Sequence, residues 1–230
     1  MKNIEKWNEK NSFNRSKGAK YPPSYPNEML VKLCSSKSYS NLTKNLFNKK
    51  KINVCEIGCL AGNNLRFFLD RKWKTYGIEI NQKLIQLTKK NLNRFGKQIK
   101  NIKIGNNTEI PFKSNFFDLF VSINTIHYSS GEEINKTLKE YSRLIKKNGI
   151  ALIETPSEKH DVITNSKKIN DNLWLWKWGG FRNNQLMGFF DSKTKLKKKL
   201  KKYFSKVEIL ERSEIYNKIN LNWYFAVCKK

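Results

Sequence analysis

The chain has 230 residues, a formal net charge of +27 and 38% apolar residues. That length fits one domain with insertions better than two, and no apolar run approaches the ~18 residues needed to cross a bilayer. The charge invites a nucleic-acid reading, but only seven of the 46 basic residues are Arg, and the lysines are spread over nearly every segment. A surface that reads bases would favour arginine, so compositional habit is the preferred explanation.

In chain order, the opening MKNIEKWNEKNSF is polar and has no signal-peptide core, so a cytoplasmic protein with reduced thiols is expected. Residues 1–50 read as an N-terminal arm or cap. Pro22, Pro23 and Pro26 fix an extended entry, and a helix starts at Asn27–Leu33. From residue 51 short apolar runs alternate with helical stretches. Strands are expected at Ile52–Ile57, Lys74–Ile80, Ile102–Gly105, Phe117–Ile123, Ile150–Thr155, Lys206–Leu210 and Trp223–Cys228. Helices are expected at Asn63–Asp70, Gln82–Phe95, Glu132–Lys146 and Lys193–Tyr203. Continuously apolar strands (VCEI, DLFVSI, IALIE) suit parallel strands covered on both sides. The fold class is therefore α/β, a doubly wound sheet with helices on both faces. Residues 51–155 form the binding core and 156–190 a lid or substrate insertion. Residues 191–230 complete the sheet with a helix and strands. In the basic helix KLKKKLKKYF, Leu196, Leu200 and Phe204 lie on one face, which reads as packing beneath a solvated surface.

One constellation carries chemistry. Glu56 sits inside the apolar end of the first strand and is followed by Gly58 and Gly62, an ExGxxxG loop leading into a helix that Asn63 or Asn64 can cap. Gly58 permits a sharp turn, and Gly62 permits a ligand to lie against bare backbone. Glu79 ends the second strand about 20 residues on, where a carboxylate accepts from ribose hydroxyls. A dinucleotide fingerprint would have a glycine where Leu60 stands, no phosphate-gripping GK[ST] exists, and Glu56 would repel a diphosphate. A cationic adenosyl ligand such as S-adenosylmethionine is suited.

These motifs resemble those of class I S-adenosylmethionine-dependent methyltransferases of the small-molecule type, over about residues 50–155. EIGCLAG is similar to the family's first motif and YGIEI to its second. GNNTEIPFKSNFFDLFVSINTIHY resembles the stretch from the third strand through the fourth. RLIKKNGIALIETP resembles the helix–turn–strand that follows, with Asn148-Gly149 where Pro-Gly-Gly is usual. The resemblance implies a Rossmann-like seven-stranded sheet, mostly parallel with the last strand antiparallel, and S-adenosyl-L-methionine as cofactor. It places Glu56 and Gly58 at the methionine end, counts Cys59 and Gly62 among the cofactor contacts, and sets Glu79 at the ribose. It sets Ile80 against the adenine, Asn106 and Asn107 at the adenine edge, and Ile123 again at the methionine end. Asp118 reads as structural.

Methyl transfer from a sulfonium needs alignment and exclusion of water, and only the nucleophile needs a base. His127, just past the fourth strand, is the candidate base, with a packing role as the alternative; Tyr128 is the second candidate. His160 reads as a surface residue. Trp174, Trp176 and Trp178 alternate, so on a strand they share a face that either walls an acceptor pocket or seals the insertion to the core. Trp7, Tyr21, Trp176 and Arg182 are candidate acceptor contacts, Arg182 through a carboxylate or phosphate. Cys34, Cys55, Cys59 and Cys228 form no CxxC pair and both histidines are remote from them, so no metal is expected. The expected activity is methylation of an O or N atom of a small-molecule or saccharide-type acceptor. A nucleic-acid methyltransferase, suggested by the charge, and a non-catalytic cofactor-binding protein are the alternatives. Strand four ends in SINT rather than Asn/Asp-Pro-Pro-aromatic, and no cysteine follows a proline, which weigh against nucleic acid. Oligomeric state is left open.

Overall fold

Alternate residues of each central strand enter two different cores. Val54, Leu119, Val121, Ile150, Leu152, Phe225 and Val227 pack on one face of a sheet, and Cys55, Phe120, Ala151, Ile153, Tyr224 and Ala226 on the other. This period-two division of uninterrupted apolar runs is what buries a sheet on both sides. The structure, a computed structural model, describes residues 25–44, 46, 48–179 and 182–230. The expected contacts Trp7 and Tyr21 lie outside the described residues.

The strands of the main sheet are β1 (Asn53–Ile57), β2 (Lys74–Glu79), β3 (Ile102–Ile104), β4 (Phe117–Ile123), β5 (Ile145–Pro156), β9 (Lys206–Tyr216) and β10 (Ile219–Lys229), in the order β3-β2-β1-β4-β5-β10-β9. All run parallel except β10, which is antiparallel to both neighbours. This is the Rossmann-like sheet with its last strand reversed. Helices α1 (Glu28–Ser35), α2 (Asn63–Asp70) and α3 (Gln82–Asn93) cover one face, and α4 (Glu133–Leu144) and α6 (Lys193–Leu200) the other. On α4 the inward residues are Ile134, Leu138, Tyr141 and Leu144, one stripe at helical spacing. Burying each contributes about 1.5–3 kcal/mol.

Three expectations needed correction. The helix foreseen to Lys146 stops at Leu144, because Ile145 already pairs with Phe117 as the start of β5. There Asn148 takes a left-handed φ of +64°, the turn that the Asn-Gly pair implied. Strands β9 and β10 extend well past Leu210 and before Trp223. Residues 211–222 form a hairpin ribbon turning at Asn217 and Lys218, both left-handed. Much of that ribbon is solvent-exposed, so it carries no burial pattern to read. The insertion, to which the sequence assigns no element, is not a structureless loop. It holds the short helix α5 (Asp161–Thr164) and a three-stranded antiparallel sheet of β6 (Lys167–Asn170), β7 (Leu173–Leu175) and β8 (Leu186–Met187). That sheet packs its own cluster of Val162, Ile163, Trp174, Trp176, Met187 and Phe189 against Tyr128.

Candidate functional site

At the carboxyl ends of β1 to β4 lies a cavity of about 1150 Å³. That is more than the roughly 300–1,000 Å³ of a pocket for one small ligand. The loops after the four strands supply most of its wall, as the edge rule for doubly wound sheets predicts. Asn184, Gln185 and Leu186 of the insertion close one side, and Tyr25 and Asn27 another. Among the described residues the lining holds three acids, Glu56, Glu79 and Glu133, and no lysine or arginine.

Glu56 ends β1 with its carboxylate buried in this cavity. One oxygen accepts from Asn64 Nδ2 at 2.6 Å; the other, Oε2, is buried without a hydrogen-bond partner. Burial, with a smaller push from the nearby Glu79, raises its pKa to about 8 against the Asn64 bond. Behind it runs a polar chain. Asn64 Oδ1 accepts from the Asn27 amide N–H at 2.8 Å, and Asn27 Nδ2 donates to both oxygens of Glu154 at the end of β5. Asn124, left-handed at the tip of β4, also donates to Glu154, at 3.0 Å, and its Oδ1 is left buried and unpartnered. The cavity thus presents two orphaned acceptors, which fit a cationic donor such as an ammonium and repel a diphosphate.

Glu79 ends β2 and accepts from the amides of Leu60 at 2.6 Å and Ile80 at 3.1 Å. Burial raises its pKa to about 7, the two amide bonds working the other way. Each oxygen keeps a further lone pair, enough to accept from ribose hydroxyls. The first of those bonds also holds Leu60 in its left-handed conformation, φ +40°.

The glycines divide their work differently from expectation. Gly58 turns at φ +70° where a Cβ would meet Thr125 Oγ1 at 2.5 Å, so it lets the β4 loop approach. Gly62 (φ +75°) does not line the cavity; its open side faces Thr88 and Leu92 of α3 at 3.0 Å. It serves helix packing, not ligand approach. It is also the residue preceding α2, so neither Asn63 nor Asn64 caps that helix. Asn63 binds the Tyr25 carbonyl and Asn64 bridges to Glu56.

Cys59, Ile80, Asn106, Asn107 and Ile123 all line the cavity. Burial holds the Cys59 thiol well above its ordinary pKa, so it is neutral. Asn106 Oδ1, expected at the adenine, accepts instead from Thr108 N and Oγ1, both at 2.9 Å. The Asn107 side chain is turned into the loops, donating to Thr125 O and Ser129 Oγ and accepting from Tyr141.

Of the candidate catalytic pair, Tyr128 lines the cavity and His127 does not. The His127 ring is buried against Tyr128 and Phe189, at centroid distances of 4.8 and 5.8 Å, and its carbonyl accepts from Gly188 N at 2.7 Å. It sits where the insertion docks. Arg182 does not line the cavity either; its Nε donates to Tyr128 Oη at 2.6 Å and its guanidinium lies over the Tyr128 and Trp176 rings. Trp176 is buried in the insertion's own cluster, donating to Gly179 O, and Trp178 is outside the cavity wall. Trp174 and Trp176 therefore pack within the insertion and do not wall the cavity, and Trp178 is exposed. His160, read as a surface residue, is buried: Nδ1 accepts from Val162 N ahead of α5, and the ring meets the Trp223 face edge-on at 4.3 Å. Burial lowers its pKa to about 4. Asn27, Asn64, Asn124, Glu133 and Gln185 were not singled out for the site from sequence. Polar residues in loops are common, and only the convergence of four segments distinguishes these.

A family model described as "Methyltransferase domain" matches residues 55–153. No curated protein matches the chain. Among solved structures, a protein of Pyrococcus horikoshii is similar at a TM-score of 0.61 and 16% identity, over 89% of this chain and 99% of that one. A SAM-dependent methyltransferase of Methanosarcina mazei gives 0.62 and 16%, over 79% and 93%. A Thermotoga maritima protein described as a SAM-dependent methyltransferase, possible histamine N-methyltransferase, gives 0.56 and 17%, over 88% and 94%. These likenesses establish the fold.

Proposed function

We propose that the chain, matched over residues 55–153 by a methyltransferase family model, is a class I S-adenosylmethionine-dependent methyltransferase that methylates an O or N atom of a small, uncharged or cationic acceptor. The observation that carries this is the cavity lining, which among the described residues holds three acids and no lysine or arginine around the unpartnered Glu56 oxygen. S-adenosylmethionine, when bound, supplies a methyl group activated by its sulfonium for in-line displacement. In this reading Glu56 Oε2 and Asn124 Oδ1 hold the ammonium, Glu79 accepts from the ribose hydroxyls, and Ile80 and Ile123 supply apolar contact. The insertion, docked on the turn at 126–128, keeps water from the reacting centre. Tyr128 replaces His127 as the polar side chain nearest the acceptor, its hydroxyl oriented by Arg182. A saccharide acceptor stays within this reading, since neutral hydroxyls meet the same wall. The Thermotoga protein's description, a possible histamine N-methyltransferase, is consistent with a small amine.

A nucleic-acid acceptor is the second reading, favoured by the +27 charge. It would bring phosphates to a mouth lined by acids. The test is incubation with methyl-labelled cofactor and both total RNA and a small-molecule extract. Label should enter the acid-soluble fraction; label confined to RNA would replace this reading with the second.

A further inference from the structure

Gln185 is 2% exposed, and neither its carboxamide oxygen nor its nitrogen has a hydrogen-bond partner. Burying an amide without partners is costly, so native structures almost always satisfy one. The residue is not loosely placed. Its backbone N–H donates to Arg182 O at 2.9 Å, its carbonyl accepts from Trp176 N at 2.9 Å, and the next residue pairs across the insertion's sheet with Leu175. Backbone bonds on both sides therefore fix in place a cavity-wall residue that carries an unsatisfied donor and an unsatisfied acceptor.

Its position separates it from the cofactor residues. Glu56 and Glu79 end β1 and β2, whereas Gln185 belongs to the insertion that docks on Tyr128 beyond β4. We propose that Gln185 recognises the acceptor by pairing with a carboxamide-like edge, an N–H donor beside a carbonyl or ring-nitrogen acceptor, on a neutral molecule. This rests on the methyltransferase reading above. A primary amide side chain is complementary to such an edge in either flip, as when Gln reads adenine. A carboxylate would offer acceptors only, leave the Gln185 oxygen unpaired, and meet no lysine or arginine among the described residues of the wall.

The test uses the full chain loaded with S-adenosylhomocysteine and follows benzamide, acetophenone and benzoate by ligand-observed NMR. Benzamide should bind about tenfold more tightly than either analogue, because a site built for two hydrogen bonds rejects ligands that satisfy one. Gln185→Met should erase that preference and leave S-adenosylhomocysteine affinity unchanged. Gln185→Glu should shift preference from benzamide to benzamidine, a switch that misfolding cannot imitate. Equal binding of benzamide and acetophenone by the wild type overturns the proposal. So does a parallel loss of S-adenosylhomocysteine binding in Gln185→Met, which would move the residue to the cofactor half. Failure of the wild type to bind S-adenosylhomocysteine at all would remove the methyltransferase reading and this proposal with it.

Discussion

Glu56 carries its proton at a pH where an exposed glutamate would not. Burial raises it from the ordinary 4.5 to about 8, and Glu79 close by is raised to about 7. A cationic ligand favours the ionised form, so binding should expel the proton. Calorimetry of S-adenosylhomocysteine at pH 7 in buffers of different ionisation enthalpy should show proton release, and affinity should rise from pH 6 to pH 8. Glu56→Gln should abolish the release and weaken binding at least about tenfold, the worth of one charge-assisted bond. Unchanged affinity in that variant would exclude Glu56 from the ammonium site. The same shifts fix the stability of the ligand-free protein. Both acids hold their protons more tightly folded than unfolded, so the folded state is favoured most below about pH 4.5 by this pair. That advantage is lost as pH rises through about 7 and 8. Thermal scans of the ligand-free chain should therefore show this contribution falling between pH 5 and 8, and less so in Glu56→Gln.

At the scale of elements, the insertion's sheet meets the core most tightly at Gly188, beside further bonds from Gly131 N to Asn172 O and from Arg182 Nε to Tyr128 Oη. A Cβ on Gly188 would lie 1.8 Å from the Ser129 carbonyl oxygen, and the Gly188 amide bonds His127 O. The loop after β4 and the sheet of the insertion are thus in backbone contact, and His127 and Phe189 fill the space beside it. Gly188→Ala should force the two apart. Turnover should fall by more than tenfold while S-adenosylhomocysteine, which the proposed site sets against the ends of β1 and β2, still binds within about threefold of wild type. Equal loss of both would show that the insertion also holds the cofactor half. His127 packs at this junction, so its substitution should disturb the docking of the insertion.

For the whole molecule, the charge and the site point in different directions. The net charge is +27, yet the cavity wall is acidic. Seven of the ten residues from Lys193 to Lys202 are lysines, on a helix whose apolar side is Leu196 and Leu200. That surface should retain RNA at low salt without regard to sequence. Retention should drop by about a thousandfold or more between 50 and 200 mM salt. Methylation of a small acceptor should change less than about twofold over the same range, since buried contacts are little screened. Turnover that falls in step with RNA retention would instead support the nucleic-acid reading.

The sequence by itself determined the order of strands and helices and the acid–glycine–acid spacing, hence the class of ligand. These rest on local physics: period-two burial, helical stripes and turns that require a left-handed backbone. Leu60 was read as an obstacle to a diphosphate, and it does face the cavity. What only the tertiary structure decided is which polar residues meet. Asn27, Asn64 and Glu154 lie up to 127 residues apart and converge behind Glu56. Gln185 and Asn124 are recognisable only by the partners they lack. His127, a candidate because it follows the fourth strand, and Trp176, a candidate from the alternation of tryptophans, both pack with the insertion. Adjacency fixes where a backbone passes; which way a side chain turns is set by the neighbours that bury it.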